Sequence, residues 1–130
     1  MTYKELIKRA EEAMWTAYAP YSRYRVGAAI ECRDGTVFTG CNIENAAYGE
    51  CLCAERVAAA KAVSAGRTDF MRIAVISDSD EYCMPCGSCR QFLSEFSRDM
   101  EFLCARKDTS YVCYSMKDLL PHAFSSEILY

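Results

Sequence analysis

Val26-Gly27-Ala28-Ala29-Ile30 and Thr36-Val37-Phe38-Thr39-Gly40 stand on either side of Asp34-Gly35, and this stretch sets the character of the fold. Two short apolar runs around an Asp-Gly pair predict a β-hairpin with a two-residue turn. Upstream, Thr2 and Glu5 have capping-box spacing, and Leu6, Ala10, Ala13, Met14 and Ala17 recur at helical intervals, which predicts an amphipathic helix stopped by Pro20. Downstream, an alanine-rich helix is expected from about Ala54 to Ala65, closed by Gly66 and slim enough to lie close against a sheet.

Further along, Ile73-Ala74-Val75-Ile76 reads as a buried strand, and Phe92, Leu93 and Phe96 mark one side of a helix over Cys86–Phe96. Glu101–Cys104 and Tyr111–Tyr114 read as two more strands, and Met116–Leu120 as a last helical turn before Pro121. This order predicts an α/β protein: a mixed five-stranded sheet with helices on both faces, a three-layer α/β/α sandwich. With 130 residues and no linker or repeat, the expectation is one domain over residues 1–130.

Composition narrows the function. A formal net charge of -3, with no basic block, argues against a nucleic-acid partner, because such binding draws on Lys and Arg at phosphates. The polar opening Met1-Thr2-Tyr3-Lys4-Glu5 does not resemble a signal peptide, and the apolar runs are too short to span a bilayer, so no membrane partner is expected. Nine cysteines, an odd number, fit a reducing cytoplasmic setting in which clustered thiols bind metal rather than pair.

The cysteines are not scattered evenly. Cys86 and Cys89, three apart at a helix start, face the same way, and Cys53 immediately precedes the alanine-rich helix. Thiolates at helix starts are favoured by the helix dipole and by free first-turn amides. Two such starts aimed at one point would gather three thiolates. Three protein ligands leave tetrahedral zinc one open position for water, the arrangement of catalytic sites, and zinc makes that water acidic near neutral pH. Glu55, two residues beyond Cys53, cannot share its direction and is placed to handle the water's protons. Arg56 is placed to donate to thiolate sulfur.

Other readings of the same residues stand beside this one. Cys51, Cys53, Cys83, Cys86 and Cys89 offer enough sulfurs for a structural four-cysteine zinc site that has no use for Glu55. Cys83, Cys86 and Cys89 also echo an iron–sulfur run, although its fourth cysteine and trailing proline are missing. Glu55 taken alone is simply a favourable charge in a helix's first turn.

Taken together, Cys53-Ala54-Glu55 and Pro85-Cys86-Gly87-Ser88-Cys89 make the sequence similar to the zinc-dependent cytidine deaminase family. Cys rather than His at position 53 resembles the small homotetrameric members acting on free cytidine and deoxycytidine. Tyr18-Ala19-Pro20-Tyr21-Ser22, Gly40 to Tyr48 and Leu119 to Ser126 resemble further segments of that family. The resemblance implies one zinc ion per subunit on Cys53, Cys86 and Cys89, with Glu55 as proton shuttle. It also implies Asn42 and Glu44 at the ribose, the backbone of Ala54 at the base carbonyl, and a homotetramer. In that assembly the Ala46-to-Tyr48 stretch and Phe124 would serve a neighbouring subunit's site. Tyr24 stands where the family often has a Phe pocket wall, and Ser88 stands between the metal cysteines where Ala is common. Cys83 is an additional thiol, expected to be open to oxidation or to wrong metals. His122, the only histidine, is read as structural or surface.

Overall fold

The computed structural model describes residues 1–129. Five strands form one sheet: β1 (Val26–Cys32), β2 (Val37–Cys41), β3 (Phe70–Ser77), β4 (Glu101–Ala105) and β5 (Tyr111–Ser115). Their order across the sheet is β2-β1-β3-β4-β5. Only β3 and β4 run parallel, so the sheet is mixed as expected. The parallel pair needs a crossover, and helix α3 (Gly87–Ser94) supplies it.

Helix α1 (Tyr3–Met14) covers one face, packing Leu6, Ile7, Ala10 and Met14 against Ala29, Ala74, Ile76 and Leu103. The alternate residues Ala28, Ile30, Ile73, Val75 and Phe102 point to the other face, where they meet α2 (Ala54–Ser64) and Leu93 of α3. The result is the three-layer α/β/α arrangement. A short α4 (Met116–Leu119) follows β5, with a capping box formed by Ser115 and Asp118. Among the described residues, no helix is long and apolar enough to cross a membrane.

Two boundaries differ from expectation. The hairpin loop is Arg33-Asp34-Gly35, not the Asp-Gly pair alone: the Gly35 amide donates to Cys32 O at 2.9 Å and the Cys32 amide to Thr36 O at 2.8 Å. Gly35 takes φ +92°, the left-handed residue that closes a three-residue loop, while Asp34 accepts from the Thr36 amide. The first helix ends at Met14, well before Pro20. Thr16 directs both its amide and its hydroxyl at Ala13 O, and the Tyr18 amide then donates to Asn42 O. The chain is drawn off to bridge Ile43 before proline is reached, so Ala17 lies outside the helix.

What seats α2 is the absence of a side chain beneath it. A Cβ on Gly40 would lie 2.5 Å from Ala58 N and 2.6 Å from Ala54 O, both backbone atoms. Only glycine lets the helix start come that close to β2. The far end of α2 is closed by Gly66, whose amide donates to Val63 O, with the Arg67 amide reaching Ala62 O.

Candidate metal centre

Cys53 and Cys86 are the N-cap residues of α2 and α3, and Cys89 is in the first turn of α3. Both helix starts converge as the spacing predicts. The three Sγ atoms lie within 4.8 Å of one another, with Cys53–Cys86 at 3.7 Å and Cys86–Cys89 at 3.4 Å. Thiolates at about 2.3 Å from a tetrahedral zinc ion stand about 3.8 Å apart, so these sulfurs match zinc in number, kind and spacing.

Cys51 and Cys83 are outside the cluster. Cys51 exchanges contacts with the backbone of Asn45, and Cys83 accepts from the Tyr24 hydroxyl. The four-cysteine reading therefore loses its fourth ligand, and the iron–sulfur reading, already one cysteine short, loses Cys83 as well. Cys83 also corrects an expectation. It is buried, and burial pushes its thiol up to about 11, which leaves it protonated and shielded rather than open to oxidation or stray metals.

The sulfurs differ in charge. The neighbouring sulfurs of Cys89 and Cys86 and the Arg56 guanidinium, whose Nη2 donates to Cys53 Sγ at 3.6 Å, together pull the Cys53 thiol below its ordinary value. Crowding against Cys53, together with burial, pushes the Cys89 thiol up. Adjacent thiolates need a cation between them to coexist, and the arrangement is built to receive one. Arg56 Nε is buried with no partner among the described residues, and the guanidinium is held in this corner by its Nη2 contact with Cys53.

Glu55 is in the first turn of α2, 4% exposed, and burial pushes its carboxyl up to about 7. A carboxyl that gains and loses protons near neutral pH suits general acid–base work. Ala54 opens the same turn, fully buried, where the helix offers its amide no acceptor.

Asn42 and Glu44 lie just past β2 and are tied to the site by backbone: Ile43 pairs with Leu52, the residue before Cys53. Asn42 Oδ1 accepts from the Val26 amide and Nδ2 donates to Tyr24 O, each at 2.8 Å. Glu44 Oε1 accepts from the Tyr21 and Ser22 amides, and Oε2 accepts from the Ser22 hydroxyl. The Ser22 hydroxyl bond holds the Glu44 carboxyl below the usual carboxylate range, keeping it an acceptor. Tyr24 is exposed as a residue, while its hydroxyl donates to the buried Cys83.

The remaining candidates are not gathered around the cysteines. Ala46 and Tyr48 are exposed, Tyr48 at the rim of a cavity of 320 Å³ that also takes in Tyr21, Ser22, Glu44 and Cys51. Phe124 is 57% exposed, beside α3, with its carbonyl accepting from Gln91. His122 is exposed, as expected. Two supports went unread in the sequence. Arg90 donates from Nε to Pro85 O and from Nη1 to Leu119 O, clamping the loop before Cys86 to the end of α4. Ser22 anchors Glu44. An arginine directly after the second cysteine was the only available hint of the former.

With this geometry in hand, likeness to known proteins becomes decisive. A family model described as "Cytidine and deoxycytidylate deaminase zinc-binding region" matches residues 1–105. A probable cytidine deaminase of Dictyostelium discoideum is 45% identical, over 97% of this chain and 86% of its own length. A cytidine deaminase of Halalkalibacterium halodurans is 44% identical, over 98% and 97%. The crystal structure of cytidine deaminase from Burkholderia pseudomallei superposes with a TM-score of 0.92 at 44% identity, covering 95% of this chain and 100% of that one. The chain belongs to the cytidine and deoxycytidylate deaminase family. It is an enzyme, a zinc-dependent hydrolytic deaminase.

Proposed function

We propose that this enzyme converts cytidine and 2'-deoxycytidine to uridine and 2'-deoxyuridine, releasing ammonia, as a step of pyrimidine salvage in the cytoplasm. The observation that carries this reading is the three-sulfur cluster with a buried carboxyl in the adjoining helix turn. Zinc on Cys53, Cys86 and Cys89 supplies the Lewis acidity that makes water acidic near neutral pH. Glu55 takes one proton of the attacking water and passes it to the ring nitrogen, then takes the second from the hydroxyl left on the ring carbon and passes it to the departing amine. Arg56 holds part of the negative charge of the Cys53 sulfur in place.

The Asn42–Glu44 segment receives the ribose hydroxyls, the Ala54 amide the base carbonyl, and Tyr24 forms a wall of the pocket. The exposure of Ala46, Tyr48 and Phe124 supports their serving a neighbour's site in a homotetramer. The net charge of -3 supports a free nucleoside rather than a nucleic-acid strand as substrate.

The test is ultraviolet-monitored deamination of both nucleosides by wild type and Glu55→Gln, with zinc measured in each. The expected result is zinc retained and turnover lowered by about 10²- to 10⁴-fold in the variant. Equal turnover in the two proteins would overturn the proton-shuttle role, and no turnover of either nucleoside by wild type would overturn the substrate.

A further inference from the structure

Tyr24 and Cys83, both outside the metal-binding motifs, are each other's partner: the Tyr24 hydroxyl donates to Cys83 Sγ at 3.6 Å. They are 59 positions apart and meet across the sheet end where β1 begins and the chain leaves β3. Cys83 is a fixed acceptor. It is 4% exposed, and its own amide donates to Ala105 O at the end of β4 at 2.9 Å. Tyr24 is held at its other end as well. Its carbonyl accepts from Asn42 Nδ2, and its amide donates to the Ser22 hydroxyl oxygen, which in turn donates to Glu44. The residue as a whole stays 43% exposed. The phenol is thus fixed at both backbone and hydroxyl.

We infer that Cys83 is a positioning residue: by accepting the Tyr24 hydroxyl it locks the ring as a rigid wall for the base and keeps that hydroxyl away from the substrate. The inference rests on the nucleoside-deaminase reading of the site. A tyrosine with a free hydroxyl would present a polar group to the pyrimidine and would swing about its side-chain torsions. Anchored, it presents an apolar face whose ordering cost is already met before substrate arrives. Because Asn42 and Ser22 hold the same residue from the backbone side, the wall and the Asn42–Glu44 segment move as one piece. Asn42, which holds the Tyr24 carbonyl, directly precedes Ile43, whose pairing with Leu52 leads to Cys53, so the pair is tied to the metal-site segment and not to a remote surface.

The experiment compares wild type, Tyr24→Phe, Cys83→Ala, Cys83→Ser and the Tyr24→Phe/Cys83→Ala double variant, each loaded with zinc. Steady-state kinetics on cytidine and calorimetric affinity for uridine are the readouts. Loss of either partner is expected to raise KM and weaken uridine binding about threefold to tenfold, the usual worth of one hydrogen bond, with kcat nearly unchanged. The double variant should be no worse than the single ones, since all delete one contact. Cys83→Ser, which keeps an acceptor, should restore binding even if its melting temperature falls. Tyr24→Phe removes one atom from an exposed residue and guards against a folding failure at position 83. Wild-type-like KM and uridine affinity in Tyr24→Phe, or additive effects in the double variant, would overturn the inference while leaving the deaminase reading intact. Absence of both cytidine turnover and uridine binding in wild type would overturn the two together.

Discussion

Cys53 and Cys86 occupy the same position in two different helices: each is the N-cap residue, and their sulfurs stand 3.7 Å apart. Neither side chain caps its own helix. A cap position normally spends its polar atom on the first-turn amides. Here the thiols are directed toward each other, so helix starts are turned to metal ligation.

Replacing Cys86 by Ala should therefore act on metal before it acts on fold. Cys86 is exposed and contributes nothing to the core, so thermal unfolding in excess chelator should match wild type to within a few degrees. Zinc content by atomic emission should drop well below one per chain, with turnover lost alongside. A variant with full zinc content would mean that the three-sulfur site is not the binding site.

Arg90 should matter through the loop it clamps. Arg90→Met removes the bonds to Pro85 O and Leu119 O, leaving the Cys86 cap free to wander. Groups that orient metal ligands are typically worth 10- to 100-fold, so zinc affinity in a competitive chelator titration should weaken by at least about tenfold. An unchanged affinity would assign Arg90 to packing alone.

Gly40→Ala should loosen the centre from beneath. The new methyl meets backbone at 2.5 Å and 2.6 Å, and backbone cannot rotate aside as a side chain can. The helix start must lift, at a cost of about 1–3 kcal/mol in denaturant unfolding. Because Cys53 rides on that start, zinc affinity should weaken in the same variant. Wild-type stability would show that α2 and β2 have more slack than their contact implies.

Acid sensitivity should trace partly to Arg67. It pairs with Asp34 in the hairpin loop and with Asp69 before β3, and it holds both carboxyls below the usual carboxylate range. A carboxyl whose folded pKa is lowered adds stability above its unfolded value of about 4 and loses it as pH falls below that value. Asp34 is exposed and Arg67 and Asp69 are only partly buried, so solvent screening keeps the effect small. Arg67→Met should melt a few degrees below wild type at pH 7, and the gap should close as pH is lowered from about 5 to about 2.5. A gap independent of pH, measured by circular dichroism, would remove the ion pairs from the account.

Much of this molecule was legible in its residues because local rules and tertiary demands agree. The capping box at Thr2 and Glu5, the strand runs and the two cysteine-bearing helix starts all formed where periodicity and spacing put them. The misses have a common cause in long-range contact. The helix before Pro20 ended early because Asn42, far along the chain, took the Tyr18 amide. Cys83 reads as reactive because its number is close to Cys86, whereas the fold places it in the core cluster, with its amide bonded to Ala105 and its sulfur facing Tyr24. Spacing found the metal ligands, since helix geometry fixes them. It could not find Arg90's acceptors, which belong to a loop and to a later helix.

The converging helix starts also make the metal a strut between parts of the chain that lie far apart in sequence. Residues 53 and 86 come into register only when α2 has settled on β2 and α3 has completed the crossover from β3 to β4. A disordered chain offers zinc no such trio, so the ion is a ligand of the native state, and free zinc raises the melting temperature in proportion to the logarithm of its concentration. Metal supply in the cell would then govern how long each copy of the enzyme survives as well as how fast it turns over.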